Sequence, residues 1–289
     1  MTSLRQAMAA SGLDRLDAQL LLLHALSVPP QDAAARRAWL LAHPEADMPV
    51  TAVQAFKEFV QRRVNGEPLA YITGHKEFFG LDLAVDARVL VPRPDTELLV
   101  QWALDTIDSF DVATLPPPHR VLDLGTGSGA VALAIRHTRP EVLVDALDAS
   151  AGALKVAQAN ALSLGLTVRF LQGSWLAQVT TRYHCIVANP PYIADHDPHL
   201  AALRHEPRAA LAAGPDGLND LRSIVDTAGP RLCAGGCLLV EHGYDQAAAV
   251  RALFNKGGYA NVVSRRDLAG HERCTGGRVI GDSRWPMMK

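Results

Sequence analysis

Val121-Leu122-Asp123-Leu124-Gly125-Thr126-Gly127-Ser128-Gly129 decides the fold of this 289-residue chain. An apolar strand runs into a glycine-rich turn, and Ala130 to His137 then read as a helix. Glycine tolerates backbone angles that other residues avoid and lets main chain come close to a ligand. Alone, such a turn suits a dinucleotide site, a phosphate loop or a plain tight connection. The spacing narrows the choice. Gly-x-Gly-x-Gly lacks the last interval of the dinucleotide fingerprint, and no Gly-Lys-Ser/Thr comes after it as in a P-loop. Asp123, just before the glycines, would repel a pyrophosphate and suits a cationic ligand. Asp148 ends the next strand, where a carboxylate can accept both hydroxyls of a ribose. A sulfonium nucleoside with an amino-acid tail, S-adenosylmethionine, fits these features better than NAD. Trp175 comes after the third strand and can pack on or beside an adenine ring, although by itself it reads as a core aromatic.

The surrounding pattern supports a sheet. Ser150 caps a helix through Leu162 that stops at Gly165, after the strand Leu143 to Leu147. Val168 to Leu171, His184 to Ala188 and Cys237 to Val240 supply further strands. Continuous apolar strands separated by helices imply a mostly parallel sheet covered on both faces, an α/β fold. Ligands of such sheets lie at the carboxyl ends of the strands.

Upstream the pattern changes. Residues 1 to about 75 show helical periodicity and almost no strand signal. Leu13, Leu16, Leu20 and Leu23 mark one apolar helix face. A second helix includes Ala38 to Leu41, and a third runs from Val53 to a stop at Asn65-Gly66. Alternating residues between Phe78 and Val91 (Leu81, Leu83, Val85) suggest a hairpin. Asp95 or Thr96 could cap the helix that begins near Glu97, and the loop Pro116-Pro117-Pro118 separates it from the sheet. The expected division is residues 1–76, 77–97 as a hairpin linker, and 98–289.

Bulk properties exclude several classes. With 48% hydrophobic residues, 20% charged and a net charge of −2, the chain lacks the basic excess that a duplex-binding protein usually carries. No stretch approaches the roughly 20 apolar residues of a membrane span, and the N-terminus does not read as a signal peptide. Cys185, Cys233, Cys237 and Cys274 have neither disulfide nor zinc-ligand spacing and are read as reduced. A soluble protein of the cytoplasm is expected. His196 and His199 flank Asp197-Pro198 and read as a surface turn.

The chemistry lies in Asn189-Pro190-Pro191-Tyr192, directly after the strand ending at Ala188. Asn189 and Pro190 each precede a proline and should be extended. An amide or aromatic amine nitrogen is a poor nucleophile because its lone pair is delocalised. If Asn189 Oδ1 and the Pro190 carbonyl each accept one N–H, the nitrogen can turn its lone pair toward a methyl donor. Both acceptors also stabilise the positive charge that grows on nitrogen, and preorganised contacts of this kind contribute about 10²–10³ each. Tyr192 can stack on the planar group. No strong general base is required.

This tetrapeptide resembles that of methyltransferases acting on planar NH₂ groups. Across nearly its whole length the chain is similar to the release-factor glutamine methyltransferases, the PrmC (HemK) family. The resemblance rests on Gly66 to Gly74, Val91-Pro92-Arg93-Pro94-Asp95-Thr96-Glu97, Asp123 to Gly129, Asn189 to Tyr192, His205-Glu206-Pro207 and Glu241-His242-Gly243. It implies a Rossmann-like class I methyltransferase domain, joined through a β-hairpin to a small all-helical N-terminal domain that helps to bind the protein substrate. It further implies N5-methylation of the glutamine in the Gly-Gly-Gln loop of class I peptide chain release factors, with S-adenosylhomocysteine as by-product. Gly125, Thr126, Gly127, Ser128, Gly129, Asp148, Trp175 and Asn189 would line the cofactor, and Asn189, Pro190, Pro191 and Tyr192 would hold the glutamine. No metal, membrane or direct nucleic-acid contact is implied. Family members often carry an acidic residue before this tryptophan, where this chain has Ser174; Ser174 or a water is expected to accept the adenine amino group instead. Arg93, Glu206, Glu241 and His242 are left between structural and substrate-facing roles. The alternatives are a ribosomal-protein glutamine methyltransferase, an adenine-N6 nucleic-acid methyltransferase using the same tetrapeptide, an inactive nucleotide-binding scaffold and a dehydrogenase.

Overall fold

The computed structural model describes residues 2–28, 33–110, 115 and 117–281. Pro116 of the expected proline loop and residues 282–289 lie outside the described residues. The first elements are helical: α1 (Leu4–Ala10), α2 (Arg15–Ala25), α3 (Ala33–Ala42), α4 (Val50–Val64) and α5 (Leu69–Thr73). Ser3 and Gln6 cap α1 reciprocally, each side chain accepting the other's backbone N–H. Asp14 starts α2 by accepting the N–H groups of Leu16 and Asp17 at 2.9 and 3.0 Å. The expected apolar face of α2 is buried only in part: Leu23 is buried, whereas Leu16 is not. Leu16 is 47% exposed, while Ala18, Leu21 and Leu22 are buried against α3, α4 and α5. A run of four leucines leaves periodicity little to choose with, and packing on several sides makes the choice. Helix α4 ends as expected, with Gly66 in the left-handed region.

The hairpin β1 (His75–Phe78) and β2 (Leu81–Ala84) comes next, with Leu81, Leu83 and Val85 buried. Neither Asp95 nor Thr96 caps α6 (Glu97–Asp108) with its side chain; a 3-10 turn over Pro94–Thr96 leads into the helix instead. The turn frees the Thr96 hydroxyl for another partner.

The remaining elements are β3 (Arg120–Leu124), α7 (Ala130–Thr138), β4 (Leu143–Asp148), α8 (Ala151–Ser163), β5 (Arg169–Gln172), β6 (Tyr183–Ala188), α9 (Asn219–Ala228), β7 (Leu232–Glu241), α10 (Ala247–Lys256), β8 (Ala260–Arg266) and β9 (Glu272–Arg278). Strands β3 to β9 form one sheet in the order β5-β4-β3-β6-β7-β9-β8. The first five strands of that order pair in parallel, and β9 runs antiparallel to β7 and β8. The sequence pattern does not reveal the terminal pair because Thr275, Gly276 and Gly277 interrupt the apolar alternation. Both sheet faces are covered. Val121, Val187 and Leu239 pack beneath α6 and α7, while Leu122, Ile186 and Val240 meet α9 and α10. Fully burying one such side chain contributes about 1.5–3 kcal/mol. Strand β3 has β4 on one side and β6 on the other, so the chain's direction of travel reverses there and opens a crevice at the strands' carboxyl ends.

Asn160 of α8 ties the hairpin to this crevice. Its carboxamide exchanges hydrogen bonds with both main-chain groups of Ala84 and also donates to the Ser128 carbonyl at 2.9 Å.

Candidate active site

A cavity of about 350 Å³ occupies the crevice, within the size range of small-molecule sites. Gly125, Gly127, Asp148, Trp175, Asn189 and Pro191 line it. Five of the sequence-derived cofactor positions, those of Gly125, Gly127, Asp148, Trp175 and Asn189, thus come together. Thr126, Ser128 and Gly129 stand behind the lining. Thr126 donates its hydroxyl to Asp123 Oδ2 at 2.7 Å, and Ser128 is buried with its carbonyl on Asn160. Gly129 is a packing position: a Cβ there would lie 3.0 Å from Leu133 Cδ1 and 3.2 Å from Ala157 Cβ. These residues shape the turn from behind the lining.

The glycine turn is not an anion cradle. Gly125 and Thr126 both donate their N–H to the Leu147 carbonyl, at 2.8 and 3.0 Å. Gly127 donates to Asp148 Oδ2 at 2.9 Å, and Gly129 to the Thr126 carbonyl at 2.8 Å. Those donors are spent within the protein, whereas a phosphate loop aims them at its ligand. Asp123, whose charge suits a cationic ligand, lies beneath the turn, where Oδ2 also accepts from Ala132 N at 3.2 Å. Burial pushes its carboxyl up to about 7, against the opposing pull of those two hydrogen bonds.

Asp148 keeps acceptor capacity for a ligand. Its oxygens take one backbone N–H each, from Gly127 and from Ser150 at 2.8 Å, and a carboxylate oxygen can accept more than one bond. The Trp175 ring stands against Gly125, where an added Cβ would be 3.3 Å from Cζ3. An added side chain would crowd that ring, and Gly125 also adopts a positive φ of 70° that favours glycine. The cavity therefore offers a carboxylate for ribose hydroxyls, an aromatic wall and close main-chain approach, and S-adenosylmethionine fits this donor and acceptor set.

Asn189 sits at the cavity edge, at the end of β6. Its Nδ2 donates to Thr96 Oγ1 at 3.0 Å. Thr96 is buried, so this bond fixes which way the carboxamide faces and leaves Oδ1 as the free acceptor. Among the described residues no donor is placed on Asn189 Oδ1 or on the Pro190 carbonyl. Pro190 and Tyr192 do not line the cofactor cavity. The Tyr192 hydroxyl donates to Glu241 Oε1 at 3.3 Å, and Gln246 Nε2 donates to the Tyr192 carbonyl at 2.9 Å, fixing the ring and the loop. Burial pushes the Tyr192 phenol well above its ordinary range.

Glu241 lies behind this group, fully enclosed, and its Oε2 has no partner at hydrogen-bond geometry. Burial pushes its carboxyl up to about 7, opposed by the hydroxyls of Thr96 and Tyr192 and by the Arg273 guanidinium. The Thr96 hydroxyl thus holds Asn189, a role that its sequence position as a helix cap concealed. Glu206 pairs with Arg93 and accepts Val91 N at 3.0 Å, holding two loops over the cavity. His242 is locked between the Gly243 carbonyl and the Thr275 hydroxyl, and burial holds its pKa down. Asp197 caps a 3-10 turn by accepting His199 N–H at 2.8 Å, and no group of three or more potential metal ligands occurs among the described residues.

Residues 2–74 match the model of the PrmC N-terminal domain, and residues 102–212 match that of the methyltransferase small domain. The release factor glutamine methyltransferase of Burkholderia pseudomallei is 47% identical over 96% of both chains. That of Coxiella burnetii is 45% identical over 93% of both. The chain belongs to the release factor glutamine methyltransferase family. This makes it an S-adenosylmethionine-dependent methyltransferase. A methyltransferase structure from Pyrococcus furiosus shares the fold, with a TM-score of 0.52 at 17% identity, covering 76% of this chain and 98% of that one. No described helix of this methyltransferase is long and apolar enough to cross a membrane.

Proposed function

We propose that this methyltransferase acts on the side-chain nitrogen of the glutamine in the Gly-Gly-Gln loop of class I peptide chain release factors. The observation that carries the reading is the fixed carboxamide of Asn189, whose Nδ2 is held by Thr96 so that Oδ1 is left to accept. Gly125, Gly127, Asp148 and Trp175 would hold S-adenosylmethionine, which when bound supplies an electrophilic methyl and departs as a neutral sulfide. Asn189 Oδ1 and the Pro190 carbonyl each take one N–H of the glutamine carboxamide. The nitrogen lone pair is thereby turned toward the cavity, both oxygens offset the positive charge that develops on nitrogen, and the methylated nitrogen then gives up one proton to solvent. The Tyr192 ring, tethered through its hydroxyl to Glu241, supports the planar group.

Residues 1–76 form a helical unit for recognising the protein substrate, 77–97 a linker, and 98–289 the methyltransferase unit. Solvent-facing Trp39, Leu41, Val50 and Val64 on the helical part support that assignment. The reaction belongs in the cytoplasm, where release factors act, and requires neither nucleic acid nor membrane. The test supplies labelled S-adenosylmethionine together with a class I release factor, a ribosomal protein or duplex DNA. Label on the Gly-Gly-Gln glutamine is expected. Labelled DNA or ribosomal protein beside an unlabelled release factor would overturn the proposal.

A further inference from the structure

The cavity has a second carboxylate. Among its described lining residues only Asp148 and Asp220 are acidic, and they come from different parts of the fold. Asp148 ends β4, whereas Asp220 lies in the first turn of α9. Asp220 Oδ1 accepts the Trp175 indole N–H at 3.0 Å, and no other hydrogen bond to this carboxylate occurs among the described residues. Oδ2 is left without a protein donor.

The sheet order fixes what lies at that end. Transfer must occur beside Asn189 on β6, and Asp148 on β4 suits the ribose. Continuing outward along β6-β3-β4-β5, the purine falls beyond β4, beside Gly173, Ser174 and Trp175, which come after β5. That end offers Leu147, a glycine and an indole as walls, with few polar groups. An exocyclic amino group placed there needs an acceptor. Ser174 is exposed and its hydroxyl competes with water, whereas Asp220 is half-buried and already anchored on one oxygen.

We infer that Asp220 accepts the exocyclic amino group of the cofactor's adenine, taking the place that the sequence suggested for Ser174. This rests on the proposed cofactor reading and adds a base-recognising residue to it. Partial burial raises the Asp220 pKa, against the pull of the Trp175 N–H. A partly desolvated acceptor with one oxygen free of protein donors gains from a ligand donor. The carboxylate also discriminates. A purine with an oxygen in place of the amino group would present a lone pair to Oδ2.

The test measures dissociation constants by calorimetry for S-adenosylhomocysteine and for its 6-oxo purine (inosine) analogue. Wild-type protein, Asp220→Asn, Asp220→Leu and Ser174→Ala are compared. Asparagine retains an acceptor for Trp175 but turns an NH₂ toward the base, and leucine removes both acceptors. Wild type is expected to prefer the amino compound by about 10-fold. Both Asp220 variants should lose that preference, and Ser174→Ala should keep it. Equal weakening of both ligands in the Asp220 variants would reduce Asp220 to an anchor for Trp175 and overturn the inference. So would a preference that survives in them, or one that disappears in Ser174→Ala. If wild type binds neither compound, the cofactor reading itself fails and this inference falls with it.

Discussion

Replacing Thr96 by valine removes one hydroxyl while nearly preserving shape, and it tests how the Asn189 carboxamide is aimed. In the wild type, Nδ2 donates to Thr96 Oγ1 at 3.0 Å from a partly buried position. Valine offers no acceptor. The amide then loses one hydrogen bond, and the flipped orientation, with NH₂ toward the substrate, loses much of its relative cost. A net hydrogen bond contributes about 0.5–1.5 kcal/mol and an unsatisfied buried donor costs about 1–3 kcal/mol. A loss of about 1–2 kcal/mol at the transition state corresponds to about a 5- to 30-fold fall in kcat/KM. Cofactor affinity should stay within about twofold, because Asp148 and the glycine turn are untouched. Single-turnover methyl transfer to purified release factor, with cofactor titrated separately by calorimetry, reads both quantities. Thr96→Ser, which keeps the hydroxyl, should recover most of the rate. Unchanged transfer in Thr96→Val would refute the reasoning, and so would a loss of cofactor affinity in proportion to the loss of rate.

Asn189→Ala should lower the transfer rate by about 10²–10³ while cofactor binding survives in part, and wild-type turnover would remove the amide from the chemistry. Asp148→Ala should weaken S-adenosylmethionine by about 100-fold or more, since two hydroxyl contacts and the support of Gly127 N vanish together; an unchanged dissociation constant would exclude the ribose role. Glu241→Gln should change how stability depends on pH. The wild-type carboxyl titrates near its ordinary value when unfolded and at about 7 when folded, so the folded state gives up stability as pH rises between those values. Glutamine removes that penalty. The variant should therefore melt at a higher temperature than wild type at pH 8, by a margin on the order of 2–3 kcal/mol, and the two should converge near pH 4.5. An equal difference at both pH values in thermal melts of the ligand-free proteins would show that Glu241 does not titrate in this way.

The parallel sheet is legible in the sequence because buried strands such as Cys185 to Ala188 are continuous apolar runs, and because glycine spacing constrains the turn after β3. Asp148 and Asn189 are legible for a related reason: each terminates a strand, or directly succeeds one, at the edge where such sheets bind ligands. Thr126, Ser128 and Gly129 are marked by the glycine spacing, which locates the loop without saying which of its atoms face inward. The network behind Asn189 is hidden more deeply. Thr96, Glu241 and Asp220 meet the site from a turn, a strand and a helix far apart in sequence, and only the fold brings them together. Thr96 even carries a competing local reading, as a helix cap, that the 3-10 turn displaces.

A crystal structure of the protein with S-adenosylhomocysteine and a peptide containing Gly-Gly-Gln tests the central claim most directly. The glutamine nitrogen should lie within about 3 Å of both Asn189 Oδ1 and the Pro190 carbonyl, with its free face toward the cofactor sulfur. A carboxamide bound elsewhere, or an Asn189 that presents Nδ2 to the substrate, would contradict it.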